Sequence, residues 1–231
     1  AIMLVDLAYA EFADEDLTRA ALEIPNAIVL RTFSKAFGLA GMRVGYAMGD
    51  ASNIRRLASV GAPYPVSSIG LAAAVESLLA APSRLPARIA RVVDERANLE
   101  RFLRELGGSP ISSQGNFVLC NFTNAEWVWR ALGGLGIAVR RFDDRPGLEN
   151  ALRITCPGDA AEFTRLLGAL RSTLSPKALL LDIDGVIADV GSSYREAICQ
   201  TAGSFGVQVT RADISAAKAE GNANNDWVLT K

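Results

Sequence analysis

Hydrophobic runs and amphipathic stretches alternate along the first part of the chain. Apolar runs that end in polar or glycine-rich turns predict three strands, at residues 1–9, 26–33 and 43–49. Helical spacing predicts helices at residues 14–22, 52–60 and 67–80. This β-α-β order predicts an α/β fold with a mixed, mostly parallel sheet. The first run lacks alternation, which indicates a strand buried on both of its faces.

A long amphipathic helix is predicted to follow Pro82 and Pro86 and to run to about Leu106, before the Gly107-Gly108 pair. Its apolar residues share one stripe. Its charged residues lie elsewhere; they are Arg88, Arg91, Glu95 and Arg104, and the arginines among them favour a solvated face over a nucleic-acid site.

A smaller α+β unit is predicted next. Its strands are expected at residues 116–122, 136–142 and 151–156, and its helices at 124–134 and 159–172. Ser175-Pro176-Lys177 reads as a linker, and ALLLDIDGVIADV starts a new strand and loop beyond it, with helices at about 192–205 and 211–220. The pattern therefore divides the chain into three parts, residues 1–106, 107–174 and 178–231.

The composition limits which partners and which catalytic residues the chain can use. The chain has 50% hydrophobic residues and a formal charge of −1, so small molecules are better partners than nucleic acid or an anionic membrane. It has no histidine, which removes His-based triads and most zinc sites and leaves catalysis to Lys, Asp, Tyr and Arg. Three cysteines without metal-ligand spacing favour a reducing cytoplasm. No apolar run is long enough to span a bilayer.

One lysine has an unusual context. The stretch RTFSKAFGLAGMRVGY, residues 31–46, resembles the lysine motif of the fold-type-I, class I/II aminotransferases, and within them the histidinol-phosphate group. The resemblance implies that Lys35 carries pyridoxal 5'-phosphate (PLP) and is catalytic. It also implies that Ser34 and Arg43 bind the cofactor phosphate and that Thr32 adds a hydroxyl.

The segment DLAYAEF, residues 6–12, resembles the D-x-A-Y segment of the same family. The resemblance implies that Asp6 faces the pyridine nitrogen of PLP and Tyr9 its ring oxygen O3'. Without Lys35 at this spacing, Asp6 would be interpreted as a strand-end or capping residue and Tyr9 as a core tyrosine.

Two arginines of the small unit extend the resemblance. GIAVRRF and ALRITC resemble arginine-bearing strands of the family, which implies that Arg153 binds the substrate carboxylate and Arg140 a phosphorylated substrate. Arg153 also stands alone among apolar or small strand residues, and a charge so placed needs an anionic partner. A structural salt bridge is the alternative for Arg153, and the neighbouring Arg141 is the alternative inward residue for Arg140.

The resemblance further implies an amino donor and a 2-oxo acid as substrates, and a homodimer at full length. Proteins of this family carry a long segment ahead of the Asp6 strand, so this chain is expected to be a fragment or a truncated product. The alternatives are another class I/II aminotransferase, a related PLP decarboxylase, or a non-catalytic remnant.

A second motif follows the linker. LLLDIDGVIAD, residues 179–189, resembles the first motif of the haloacid-dehalogenase (HAD) phosphohydrolases. The resemblance implies a partial HAD-like unit in which Asp182 attacks phosphorus, Asp184 protonates the leaving oxygen, and both bind Mg²⁺. A Ca²⁺ loop or a simple turn is the alternative. The later residues that this family needs are not recognisable before Lys231, so phosphatase activity of this chain alone is not expected.

Overall fold

The computed structural model describes residues 1–178, 183, 189 and 193–219. It divides the chain into two compact units, Ala1–Pro176 and Lys177–Lys231. The boundary falls at the predicted linker, residues 175–177. Asp182 and Asp184 lie outside the described residues, and so does most of the strand predicted before them.

The first sheet of unit 1 has the order β1-β2-β3. Strand β1 (Met3–Asp6) pairs in parallel with β2 (Ala27–Thr32), and helix α1 (Thr18–Leu22) lies between them in the chain. Strand β3 (Gly45–Gly49) pairs antiparallel with β2, so the sheet is mixed, as predicted, with one parallel and one antiparallel pair among the described residues. The reason is the connection, because residues 33–44 contain no crossover helix and an antiparallel return needs none.

Strand β1 has an exposed apolar surface in this chain, although its apolar run is typical of a strand that is covered on both faces. Ile2, Met3 and Leu4 are 52%, 46% and 66% exposed. The strand pairs only with β2 within the described residues and therefore forms an edge of this sheet. An apolar run without alternation shows that a strand suits a buried position, but its neighbours decide whether it is covered.

Three helices follow the sheet: α2 (Ala51–Ser59), α3 (Ser68–Leu79) and α4 (Ala81–Glu105). Asp50 and Ser67 cap the first two by accepting backbone N–H groups of Ser52 and Gly70. Helix α4 begins before both prolines, not after them as predicted. Pro82 lies in the first turn, where a missing N–H costs nothing, and Pro86 follows inside the helix.

The second sheet of unit 1 has four antiparallel strands in the order β4-β5-β7-β6. They are β4 (Ser109–Ile111), β5 (Phe117–Asn121), β6 (Arg140–Arg141) and β7 (Ala151–Thr155). Strand β4 was not predicted, because it is short and contains a proline that only an edge strand tolerates. Strand β6 covers only the end of the predicted residues 136–142.

Helices α4, α5 (Ala125–Gly134) and α6 (Ala160–Leu174) pack on one face of this second sheet. Val118, Cys120, Leu152 and Ile154 project into that core and are at most 1% exposed. Alternation along the strands places Phe117, Leu119 and Arg153 on the opposite face. The three helices therefore do not cover the sheet face that carries Phe117, Leu119 and Arg153.

Unit 2 contains two described helices near their predicted positions, α7 (Ser193–Ser204) and α8 (Arg211–Ala219). Ile214 of α8 is 1% exposed and anchors this small unit. Throughout the residues that the structure describes, no helix combines the length and apolar character needed to cross a membrane.

Candidate active site

The loop that carries Lys35 is fixed by backbone contacts at its base. The Phe33 N–H donates to the Val44 carbonyl at 3.1 Å, and the Leu39 N–H donates to the Phe33 carbonyl at 2.9 Å. The Thr32 hydroxyl donates to Val44 at 3.3 Å and accepts the Ser34 N–H at 3.0 Å. The lysine therefore projects from a well-defined turn between β2 and β3.

Lys35 lies against Tyr9. Its Nζ is 5.0 Å from the centre of the Tyr9 ring, over the ring face, in a cation–π contact. Within the described part of the chain, Nζ has neither an ion pair nor a hydrogen bond. The amine is held in place by an aromatic surface and is not committed to an anion.

Arg43 closes the same loop in an uncommon conformation. Its φ of 57° and ψ of 40° lie in the left-handed region, which disfavours side chains other than glycine. Its Nη1 donates to the Ala40 carbonyl at 3.0 Å, and the side chain is otherwise exposed. The guanidinium thus stays at the loop surface, while the Ser34 hydroxyl has no hydrogen-bond partner among the described residues.

Asp6 ends strand β1 on the Tyr9 side of the lysine loop. Its Oδ1 accepts the Ala8 N–H at 3.0 Å, which turns the chain toward Tyr9. Asp6 is exposed and has no ion pair within the described residues. The strand-end role considered as an alternative is therefore present, and it leaves the second carboxylate oxygen available.

Tyr9 and Phe117 connect the two sheets. Their ring centres are 5.4 Å apart in an edge-to-face arrangement. On the other side, the guanidinium carbon of Arg153 lies 5.1 Å from the Phe117 ring centre. Lys35, Tyr9, Phe117 and Arg153 therefore form a continuous row with an amine at one end and a guanidinium at the other.

Arg153 has no anionic partner within the described residues, so a salt bridge among them does not explain why a charge lies on this strand. Its Nε is buried and has no hydrogen-bond partner. A buried donor without an acceptor costs about 1–3 kcal/mol, so an anion from outside the chain would find a prepared site.

The second arginine on this face is Arg140, not Arg141. Arg140 lies directly opposite Arg153 in the β6–β7 pairing, and directly opposed residues share a sheet face. Arg141 points to the other side, where its Nε is 2.7 Å from Asp143 Oδ1. Two guanidinium groups placed opposite each other repel, so an anion between or beside them would be stabilising.

Sequence reasoning missed the ion pair that anchors the Tyr9 segment. Arg31 of β2 contacts Glu11 at 2.7 Å, with only 9% of either side chain exposed. Arg31 stands among apolar strand residues, which is the same signal that singled out Arg153. This pair attaches the segment after Tyr9 to the strand that leads into the lysine loop.

Glu95 of α4 is buried, although it lies off the apolar stripe predicted for this helix. It is 5% exposed, and its Oε2 accepts the Gly158 N–H at 2.7 Å. The turn after β7 covers this position, which helical periodicity does not reveal. Burial raises the pKa of Glu95, and nearby Asp159 adds to the rise, while the Gly158 N–H and Arg91 oppose it.

This raised pKa predicts how Glu95→Gln changes stability. The folded protein binds the Glu95 proton more tightly than the unfolded chain, so Glu95 loses stabilising effect as pH rises through its pKa. The amide has no such charge to bury. Melting temperatures measured between about pH 4 and pH 8 should therefore favour the variant increasingly toward neutral pH. A difference in melting temperature between the two proteins that stays constant across this pH range would contradict this.

A cavity of about 620 Å³ adjoins the aromatic row. Asp6, Tyr9 and Phe117 line it together with Ile111 and Gln114, whereas Lys35 and Arg153 do not. Asp14 and Gln114 hold its two walls together through reciprocal hydrogen bonds of 2.7 Å. The volume is in the range of small-molecule sites. Among the described residues, no group of three or more Cys, Asp or Glu side chains could hold a metal ion.

The sequence profile of aminotransferase class I and II matches residues 1–170. The chain belongs to this family. A histidinol-phosphate aminotransferase of Caldanaerobacter subterraneus subsp. tengcongensis is 41% identical over 176 residues, which are 75% of this chain and 49% of that protein. An aromatic amino acid aminotransferase of Mycobacteroides abscessus is 50% identical over 120 residues, 51% of this chain and 34% of that protein.

Solved aminotransferase structures share the fold. The histidinol-phosphate aminotransferase of Sinorhizobium meliloti, in complex with PLP, aligns with a TM-score of 0.68 and 28% identity over 77% of this chain and 50% of that one. A decarboxylase from Sulfurospirillum multivorans aligns with a TM-score of 0.65 and 27% identity, over 75% of this chain and 53% of that one. The chain thus spans about half the length of the relatives to which it is similar.

Proposed function

We propose that this aminotransferase chain holds PLP on Lys35 and transfers an amino group from a phosphorylated amino donor, of the histidinol-phosphate type, to a 2-oxo acid. The observation that carries the proposal is the row from Lys35 through Tyr9 and Phe117 to Arg153. Within the described residues, it has an amine without an ion pair at one end and a guanidinium without an anion at the other. A substrate with a carbonyl or amine near one end and an acid group at the other would fit it.

The residues around Lys35 fit the cofactor. Ser34 and Arg43 offer a hydroxyl and a guanidinium for a phosphate, and charge-assisted contacts of this kind are strong. The hydroxyl of Thr32 already donates to Val44, so its contribution is to shape the loop that presents Ser34. The free oxygen of Asp6 suits a protonated ring nitrogen, and the Tyr9 hydroxyl suits the ring oxygen O3'.

PLP, when bound, supplies an aldehyde that accepts the amino group and an electron-withdrawing ring. The residues of this chain would then orient the substrate and move protons. With PLP present, Lys35 Nζ would accept and return the proton of the substrate Cα, Asp6 would hold the ring nitrogen in its protonated form, and Arg153 would bind the substrate carboxylate. Arg140, on the same face as Arg153, would bind the phosphate of the donor.

A substrate panel tests this proposal. The enzyme is supplied with PLP, a 2-oxo acid and either histidinol phosphate, histidinol or an aromatic amino acid, and formation of the new amino acid is followed. We expect histidinol phosphate to be preferred, because Arg140 gains a partner only from the phosphate. A preference for the aromatic amino acid would overturn the assigned substrate, and release of CO₂ in place of amino transfer would indicate a decarboxylase.

We further propose that the enzyme is a homodimer located in the cytoplasm, and that unit 2 begins a HAD-like phosphohydrolase with Mg²⁺ at Asp182 and Asp184. The separate compact unit beyond residue 176 supports an independent domain. Amino transfer from histidinol phosphate would leave the phosphomonoester intact, and a phosphohydrolase acts on that group.

The phosphohydrolase proposal predicts separable activities. In a protein in which unit 2 is joined to the later residues that the phosphohydrolase family needs, Asp182→Asn should abolish phosphate release, since an amide is a poor nucleophile and a weaker Mg²⁺ ligand, and amino transfer should continue. Both products are measured in one reaction with histidinol phosphate. Unchanged phosphate release in Asp182→Asn would reject this assignment. A tenfold fall in amino transfer, about 1.4 kcal/mol in the barrier, would show that the two sites are not independent.

A further inference from the structure

Arg96 of helix α4 is buried under the aromatic row. It is 6% exposed, and a single nitrogen, Nη1, donates to the carbonyl of Phe12 at 3.0 Å and to that of Gly115 at 2.9 Å. These carbonyls belong to segments far apart in the chain. One nitrogen atom of α4 therefore joins two separate loops.

The two loops carry the two aromatic rings of the row. The Phe12 N–H donates to the Tyr9 carbonyl at 2.9 Å, so Phe12 closes the short turn that begins at Tyr9. Gly115 lies two residues before Phe117. A displacement of either carbonyl would therefore change the edge-to-face contact between the Tyr9 and Phe117 rings.

A buried guanidinium is a costly way to stabilise a core. Arg96 has no ion pair within the described residues, so no carboxylate there offsets its desolvation. An apolar residue would fill the same space without burying a charge. The distinctive contribution of Arg96 is geometric, because one nitrogen that donates to two carbonyls fixes these two acceptors relative to each other.

We propose that Arg96 is a positioning residue that sets the distance between the Lys35 end and the Arg153 end of the site by holding the Tyr9 and Phe117 segments together. Its importance for catalysis rests on the proposed function. Its effect on the geometry around Lys35 can be measured without cofactor or substrate.

The test uses the chain's four lysines, Lys35, Lys177, Lys218 and Lys231. They are converted to ¹³C-dimethyl-lysine in the full chain, and each methyl signal is observed by NMR. Lys35 is assigned by its loss in Lys35→Arg. Because it lies over the Tyr9 ring, its signal should be displaced upfield by the ring current, and Tyr9→Leu defines its position without the ring.

In Arg96→Gln, we expect the Lys35 signal to move most of the way to its position in Tyr9→Leu. Arg96→Lys should give an intermediate position, because the lysine side chain is one bond shorter and cannot reach both carbonyls equally. Leu103→Ala is the control, since Leu103 is a fully buried α4 residue about two turns away. It should destabilise the fold and leave the Lys35 signal unchanged.

A folded Arg96→Gln with the wild-type Lys35 signal would overturn the proposal, and so would an equal displacement in Leu103→Ala. If Arg96→Gln does not fold, Arg96→Lys decides: a displaced signal supports the proposal and a wild-type signal rejects it. These readings do not depend on activity. A failed substrate panel with a displaced signal would reject the proposed function while leaving the positioning role intact.

Discussion

Lys35→Ala should abolish covalent attachment of PLP and reduce amino transfer by on the order of 10⁴-fold, the upper range for a positioned proton-transfer group. Lys35 lies over Tyr9 without a competing partner within the described residues, and its removal leaves unit 1 without a lysine. The fold should persist, because the side chain makes no hydrogen bond there. Absorbance of the PLP-treated protein, its turnover and its melting temperature together check this result.

Lys177→Ala is the matched control for that variant. Lys177 is an exposed lysine at the start of unit 2, and its loss should leave PLP attachment and turnover unchanged. If Lys35→Ala kept the absorbance of covalently bound PLP, the assignment of Lys35 would be wrong.

Arg153→Leu should weaken binding of the substrate carboxylate by about 2–4 kcal/mol, or roughly 30- to 1000-fold. The Arg153 Nε is buried without a hydrogen-bond partner, so a bound carboxylate would satisfy a donor that is now unpaired. The loss should appear mainly as a higher KM for the 2-oxo acid, the substrate that carries a carboxylate. Steady-state kinetics for both substrates provide the measurement.

Arg141→Leu is the control for the Arg153 variant. Arg141 lies on the neighbouring strand but already pairs with Asp143, on the opposite face of the sheet from Arg153. Its replacement should leave both KM values within about twofold, as for surface ion pairs of small energetic weight. Equal effects of the two variants would show that general positive charge, and not the position of Arg153, governs binding.

The sequence alone predicted most elements of unit 1 and brought Lys35 and Tyr9 into one hypothesis. The lysine motif is long and contiguous, which made the proximity of Lys35 and Tyr9 predictable, and their roles toward the cofactor stay predictions. Arg153 was recognisable because one charge among apolar strand residues requires an explanation. The pairing of Arg140 with Arg153 was left open, because strand register depends on the partner strand.

Other features depend on tertiary contacts that no local pattern contains. The antiparallel direction of β3 follows from a connection without a helix, and strand β4 is too short to be recognised. Glu95 and Arg96 occupy a helix whose periodicity separates apolar from polar positions. It does not reveal that the turns at Gly115 and Gly158 cover part of the polar face.

The most direct test of the central claim is the identity of the lysine that holds PLP. The protein is incubated with PLP, reduced with borohydride and digested, and the peptides are analysed by mass spectrometry. We expect the pyridoxyl group on the peptide that contains Lys35 and on none that contains Lys177, Lys218 or Lys231. A pyridoxyl group on another lysine, or on no lysine, would contradict the account.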